Sequence, residues 1–459
     1  MQLPPSLLES LNDAKGFDQE PFESIHASGE QITSIRFNPL KLYIPGPESS
    51  VEGSTHDSLL SSHEKIPWTD FGYYLESRPS FTFDPLFHAG CYYVQEASSM
   101  FLEQALKQTI DLSKPVKILD LCAAPGGKST HIHSLISKDS LLVSNEVIRS
   151  RANVLKDNII KWGCENVIVT NNDPKDFSRL ENYFDVIVAD APCSGSGLFR
   201  RDPGAIEEWS DNNVELCSQR QQRILADCWP ALKKNGVLIY STCSYSRQED
   251  EKIVEWMTDN FPAENLLLDV EDNWGIVASG GGYRFWPDKV KGEGFFLACL
   301  QKKEGEAHTS TRIKSRPDPV NKKETEIIGK WIKTVNRHFI KHLNTVYAWP
   351  EQHADDFSYL LEQLRVIYSG VLTGELVRDK LVPAHALAMS KLIADTILKT
   401  ELVYPQAIRY LQRKDLQTET VSRGWQLTTF NNHPLGWINI LPNRINNYYP
   451  KELRILKDI

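Results

Sequence analysis

The sequence predicts an α/β chain built on a doubly wound, largely parallel sheet. Three observations predict it. Short runs rich in Val, Ile and Leu recur from residue 116 onward. Longer stretches of helical character lie between most of them, and such strand–helix–strand repetition implies a parallel sheet covered on both faces. Residues able to carry chemistry gather at the ends of the apolar runs, where open α/β sheets bind their ligands.

The elements follow in order along 459 residues, room for two to four domains. Residues 1–85 are mixed and hold a polar stretch, "GPESSVEGSTHDSLLSSHEK", that reads as loop. Strands are predicted at "VKILDL" (116–121), "SLLVSNEV" (140–147), "NVIVTNN" (166–172), "FDVIVADAP" (184–192) and "GVLIYSTCS" (236–244), with a last one at "GFFLACLQ" (294–301). Helices are predicted in "IRSRANVLKDNIIKWG" and "LCSQRQQRILADCWPALKKNG", where Lys233, Lys234 and Gly236 read as a stop signal. The unit 86–302 ends there. Residues 303–322, polar and proline-containing, read as a linker. Residues 323–459 read as a separate region, helical first ("FSYLLEQLRVIYSG", "AHALAMSKLIADTIL") and then in short mixed segments. Tyr404, Tyr410, Trp425 and Trp437 are expected in the core of a small β-rich module there.

The net charge of -9 argues against a polyanionic partner, but it hides an asymmetry. Residues 1–300 hold 27 Lys+Arg against 43 Asp+Glu, and residues 301–459 hold 24 against 17. The basic tail either meets something anionic or is a solvated basic face. The N-terminus carries no secretory signal, no run is apolar enough to span a bilayer, and the eight cysteines are scattered. A soluble, reduced, cytoplasmic protein is expected.

"LDLCAAPGGKST" (119–130) ends like a phosphate-binding loop. That loop reads G-x-x-x-x-G-K-[ST], and its first glycine position is Cys122 here. Pro125 also removes a backbone N–H that a phosphate would need. A nucleoside cofactor at the first strand-to-helix turn fits better, with Cys122, Ala123, Ala124, Pro125, Gly126, Gly127 and Lys128 lining it. Glu146, ending the second strand, is placed for ribose hydroxyls. Asp173, ending the third, is placed for an adenine amine. The bland alternative for Asp120 and Glu146 is a surface or capping acid.

"DAPCSGSG" sets Asp190 and Cys193 at the end of the fourth strand, and "STCSYS" sets Cys243 at the end of the fifth. If these strands are neighbours, both sulfurs enter one crevice. Cys164, Cys217, Cys228 and Cys299 read instead as small core residues. No metal is expected, since no C-x-x-C occurs and His131 and His133 diverge on a helix.

Five segments resemble the NOP/Sun family of RNA (cytosine-5) methyltransferases: "YYVQEASSM" (92–100), "LDLCAAPGGKST", "DAPCSGSG", "YSTCSYS" and "RFWPDKVKGEGFFLACLQK" (284–302). "GELVRDKLVPAHALA" and "HPLGWINILPNRINNYYPKELR" resemble the RNA-binding extension of the bacterial methyltransferases F of small-subunit (16S) ribosomal RNA. The resemblance implies a Rossmann-like, class I S-adenosylmethionine-dependent methyltransferase domain, an N-terminal α/β domain shaping an RNA channel and a C-terminal PUA-like RNA-binding region. It implies S-adenosyl-L-methionine as cofactor and 16S ribosomal RNA, within the 30S subunit, as partner of a monomeric enzyme. Cys243 is then the nucleophile, Cys193 assists adduct breakdown or product release, and Asp190 holds the cytosine N3/N4 edge. Lys128 lowers a thiol pKa or orients Asp190, unless it is a solvent-facing lysine at a helix start. Arg200 and Arg201 are expected to contact RNA backbone, against the reading of ordinary surface arginines. Two other functions remain: the same chemistry on transfer RNA, and a non-catalytic ribosomal RNA assembly factor.

Overall fold

The computed structural model describes residues 3–41, 63–306, 313–416 and 422–458. The polar stretch expected as loop lies, from 46 to 62, outside the described residues, as does 307–312 of the expected linker.

The centre is a mixed sheet. Five parallel strands, β1 (Lys117–Asp120), β2 (Leu141–Asn145), β3 (Val167–Thr170), β4 (Phe184–Asp190) and β5 (Leu232–Thr242), are followed by an antiparallel β6 (Phe295–Lys302) and, from the tail, β7 (Val366–Ser369). The spatial order is β6-β5-β4-β1-β2-β3-β7, and a hairpin from Val277 to Phe285 extends the β6 side. The order reverses between β1 and β4, which opens a crevice at their C-terminal ends. β4 and β5 are parallel neighbours, with Asp190 beside Ser241, so the two cysteine turns do meet.

The strands are apolar runs because helices cover both faces. Helix α1 (Gly127–Leu135) and helix α2 (Arg149–Trp162) pack one face, where Ile118, Leu142, Val169 and Val188 meet Ile132, Leu155 and Ile159. Gly163, at φ +89°, ends α2. Helix α3 (Asp211–Cys228) packs the other face through Ile224 and Leu225. Its start is capped by the Ser210 side chain, which accepts from the Asn213 amide. It stops earlier than the sequence suggests, because Pro230 forces a 3-10 turn over Trp229–Ala231. Lys233 and Lys234 therefore lie in β5 rather than at a helix end.

The N-terminal unit carries a three-stranded antiparallel sheet, Gly72–Leu75, Thr33–Phe37 and Tyr92–Val94. Its last strand lies past residue 85, so the unit reaches further than the composition shift suggests.

The tail differs most from expectation. It is not separate from the central domain, because β7 pairs with β3 and continues the central sheet. Trp349, Phe357 and Leu360 are buried with Leu119, Val143 and Ile187 in one core. "FSYLLEQLRVIYSG" splits into a helix ending at Gln363 and β7. "AHALAMSKLIADTIL" is helical only over His385–Met389, since its continuation bonds to 331–333 through Lys333 N to Leu392 O and Ala394 N to Trp331 O. Two further β-sheets follow the expected β-rich reading. Tyr410 and Trp437 are core and Trp425 is half-buried against Tyr448, whereas Tyr404 is exposed. Leu402, Ile408 and Ile438 share a cluster with Ile35, Phe37 and Leu86, so the last module leans on the N-terminal unit.

Candidate active site

The turn from β1 into α1 has its carbonyls held by side chains from around it. Asn145 Nδ2 donates to Leu121 O at 3.1 Å, Arg151 to Ala124 O at 2.9 Å and Asn158 to Pro125 O at 2.8 Å. Arg36, from the N-terminal sheet, donates to Gly127 O at 3.2 Å. Gly126 takes φ +115°, a backbone region that a side chain disfavours. Asp120 is fully buried beneath the loop. Ser129 donates to its Oδ2 at 2.6 Å, while Oδ1 has no partner. Burial pushes its pKa up to about 7. Glu146 is buried at the end of β2 and accepts from the Ile148 amide at 2.8 Å. Asp173 begins the turn after β3 and accepts from the Lys175 amide. An orphaned carboxylate oxygen and two further acids at adjacent strand ends, beside a glycine turn, suit a nucleoside carrying an α-amino acid group. S-adenosylmethionine is such a molecule, and these residues fit it.

Lys128 is not the solvent-facing helix residue of the bland reading. Its ammonium sits 2.8 Å from Asp190 Oδ2, with its side chain 12% exposed, and 5.2 Å above the Phe295 ring. Burial alone would lower its pKa, but Asp190, with Asp120 and Cys243 behind it, raises it above the usual lysine range. Ser241 donates to the other oxygen of Asp190 at 2.7 Å. Asp190 is thereby fixed at the crevice mouth with lone pairs still free.

Cys193 and Cys243 lie with their sulfurs 3.0 Å apart. Both are partly exposed, while Ser194, Ser244, Thr242 and Tyr245 around them are buried. The hydrogen bond to Cys243, then burial, then the charges of Cys243 and Glu249 push the Cys193 thiol well above its ordinary pKa. Either sulfur can donate to the other, so the geometry treats the pair evenly. The turns interlock through backbone: Gly197 N donates to Cys243 O at 2.9 Å, and Gly294 N to Gly197 O at 3.2 Å. A Cβ at Gly197 would stand 2.5 Å from Gly294 O, so only glycine permits this approach.

The arginines divide. Arg200 is buried and donates to Gly292 O at 3.1 Å and Glu30 O at 2.9 Å, so it ties three segments together and is not the surface group expected to contact RNA backbone. Its sequence neighbour Arg201 is exposed. Cys164, Cys217, Cys228 and Cys299 are core residues as expected.

Two residues escaped the sequence reading. Arg36 sits in "TSIRF", which reads as an ordinary strand. Glu249 sits in the run "RQEDE", which reads as a charged surface, yet it is fully buried behind both cysteine turns. Among the described residues no cluster of three or more His, Cys, Asp and Glu could hold a metal ion, and no helix is long and apolar enough to cross a membrane.

Known proteins resemble this chain along most of its length. Residues 107–301 match the family model "16S rRNA methyltransferase RsmB/F", residues 3–97 the "N-terminal domain of 16S rRNA methyltransferase RsmF" and residues 398–455 the "Methyltransferase RsmF PUA domain". The ribosomal RNA small subunit methyltransferase F of Psychromonas ingrahamii is 29% identical over 92% of this chain and 90% of its own length. That of Pectobacterium atrosepticum is 36% identical over 65% and 63%. Among solved structures, a methyltransferase homolog protein from Pyrococcus horikoshii is 28% identical, covering 65% of this chain and 100% of its own, at a TM-score of 0.52. The match to the protein of the same name from Shewanella woodyi, 30% identical over 92% of this chain and 90% of that one, shows that the chain belongs to the ribosomal RNA small subunit methyltransferase F family.

Proposed function

We propose that this chain methylates C5 of a cytosine in small-subunit (16S) ribosomal RNA, using S-adenosylmethionine, through a transient bond between Cys243 Sγ and cytosine C6. The observation that carries the reading is the pair of sulfurs 3.0 Å apart at the ends of β4 and β5, beside the Lys128–Asp190 pair.

Cytosine C5 is a weak nucleophile. The Cys243 thiolate adds to C6, the C5=C6 π pair moves toward C5, N3 takes up a proton from solvent, and Asp190 accepts from the N4 amine and the protonated N3. S-adenosylmethionine supplies an electrophilic methyl group, and the chain holds it through the 122–128 loop, Glu146 and Asp173. After C5 has gained the methyl, a solvent base takes the C5 proton. The electron pair re-forms C5=C6 and the Cys243 sulfur leaves, stabilised by the Cys193 S–H. A base must leave its stack to reach these sulfurs, so the substrate is single-stranded or deformed RNA. The basic tail and Arg201 supply phosphate contacts and position, not chemistry. We place the enzyme in the cytoplasm as a monomer acting on the 30S subunit. Bisulfite sequencing of ribosomal RNA from cells with and without the protein tests the reading. One small-subunit cytosine should lose protection when the protein is absent, and an unchanged map overturns it.

A further inference from the structure

We infer that Glu249 is a positioning residue: its buried carboxylate clamps the Cys193 and Cys243 turns together and sets the gap between their sulfurs. The inference deepens the proposed reaction and rests on it for its effect on methylation.

Each carboxylate oxygen is matched to donors. Oε1 accepts from the Ser194 amide at 2.7 Å and from Gln221 Nε2 at 3.3 Å. Oε2 accepts from Ser194 Oγ at 2.5 Å and from Ser244 Oγ at 2.6 Å. Four bonds fill the four acceptor sites of an ionised carboxylate. Ser194 directly follows Cys193, and Ser244 directly follows Cys243. A single rigid group thus holds the residue after each sulfur. Gln221 adds to this by donating to Pro192 O at 3.0 Å, on the other side of Cys193. Glu249 is itself fixed, since Tyr240 donates to its backbone oxygen at 2.5 Å.

The side chain is fully buried, and burial carries a cost that donors must offset. Burial raises its pKa, while the Ser194, Ser244 and Gln221 bonds oppose the rise. A leucine or glutamine would pack more cheaply at a position with no task. Glu249 touches neither sulfur and no reacting atom, so its action runs through Ser194 and Ser244. Displacing a reacting group by about 1 Å costs on the order of 100-fold in rate.

Geometry and charge are separable. In Glu249→Gln the amide oxygen can take the Oε1 role, facing the Ser194 N–H and Gln221. The amide NH2 then faces two hydroxyls, which can turn to accept from it. Glu249→Ala removes every arm.

The test has a readout that does not require RNA. Diamide oxidises neighbouring thiols: each thiol gives up one hydrogen, the sulfurs bond, and the diazene takes both hydrogens to become a hydrazine. The Cys193–Cys243 disulfide is quantified by peptide mapping in the full-length protein. Glu249→Ala should cross-link at least tenfold more slowly than wild type and lose on the order of 100-fold in kcat for methyl transfer. S-adenosylmethionine affinity should stay within about twofold, because no cofactor residue is touched. Glu249→Gln should restore both rates to within a few-fold. Wild-type cross-linking in a folded Glu249→Ala variant overturns the clamp, and so does a Gln variant as impaired as Ala. If Glu249→Ala does not fold, Ser194→Ala/Ser244→Ala, which removes both hydroxyl arms, takes its place with the same slowed cross-linking expected. Slowed cross-linking in an enzyme whose wild type methylates no RNA would leave the clamp standing and remove the proposed function instead.

Discussion

The Lys128 ammonium and the Asp190 carboxylate pair at 2.8 Å, joining the cofactor loop to the strand that leads into the Cys193 turn. The link makes one rigid unit of two segments that the sequence keeps 62 positions apart. Ser241 on β5 holds the other oxygen of Asp190, so three strand ends converge on one carboxylate. In the proposed reaction this is the point where the donor's methyl and the acceptor base meet.

Replacing Lys128 by Met should therefore lower kcat by about 100-fold, the lower end of the loss when one stabilising group at a reacting centre goes. Affinity for the cofactor should fall less, since the loop carbonyls keep their own partners. Lys128→Arg should rescue poorly, because a planar fork does not fit a slot shaped for a compact ammonium. Calorimetric binding of S-adenosylmethionine beside single-turnover methylation separates the two effects. Equal losses in both would assign Lys128 to the cofactor alone.

The cysteines should differ sharply. Cys243→Ala should abolish methyl transfer to small-subunit RNA, and any retained turnover would contradict its role as nucleophile. Cys193→Ala should allow attack and slow release, leaving a protein–RNA adduct that migrates slowly on a denaturing gel. No such band would remove the release role.

The parts of the site that were legible in the sequence are those carried by local motifs. The 122–128 loop, Asp190, Cys193 and Cys243 stand in Gly-, Pro- and Ser-rich turns after apolar runs, and both pieces of that signal are local. Strand existence was legible for the same reason, since a run buried on both faces is written in consecutive residues. What could not be read was set by distant partners. Arg200 looks like a surface arginine until Glu30 and Gly292, 170 and 92 residues away in sequence, claim its guanidinium. The tail looked independent because nothing in "VIYS" says that it pairs with "VIVT". The short helix at His385 likewise yields to bonds from Ala394 N to Trp331 O and from Lys333 N to Leu392 O, tertiary contacts overriding local propensity.

Arg36 gives a stability prediction. It is 1% exposed and donates to Gln95 at 2.9 Å, Thr130 at 2.7 Å, Ser134 at 3.3 Å and Gly127 O, with its guanidinium 4.6 Å from the Trp162 ring. Burial lowers its pKa to about 9. Arg36→Met should cost about 2–4 kcal/mol, because several buried acceptors lose their donor at once. The Gly127 carbonyl is one of them, so cofactor affinity should weaken in parallel. Denaturant melts with and without S-adenosylmethionine check both statements.

His26 and His131 predict a pH dependence of stability. Both are buried, and burial lowers each pKa from 6.5 to about 4, in His131 with help from the Arg36 charge. A histidine held neutral in the native state binds its proton only on unfolding. Its contribution is present above pH 6.5 and is lost as pH falls from 6.5 toward 4, then stays flat. Each group should add a slope approaching about 1.4 kcal/mol per pH unit inside that window. Equilibrium unfolding between pH 7 and 4.5 measures the slope. His26→Asn, which can still donate to Phe22 O, should flatten it by one proton, and an unchanged slope would show that His26 titrates normally in the native state.

Removing the tail should do more than weaken RNA binding. β7 covers the edge strand β3, Arg365 O accepts from the Asn171 amide at 3.0 Å, and Asn172 Oδ1 accepts from the Arg365 amide at 2.9 Å. These bonds hold the residues just before Asp173, the acid proposed to help hold the cofactor. Deleting 323–459 should uncover a β edge and the Trp349–Phe357 side of the core. It should lower the melting temperature, promote aggregation and weaken S-adenosylmethionine binding. A shorter deletion starting at 398 spares β7 and removes only the module that leans on the N-terminal unit. That variant should keep cofactor affinity within a few-fold while losing RNA affinity and its salt dependence. Comparing the two truncations by calorimetry and RNA titration distinguishes a tail that completes the sheet from one that only docks. Equal cofactor binding in both would show that β7 is dispensable to the site.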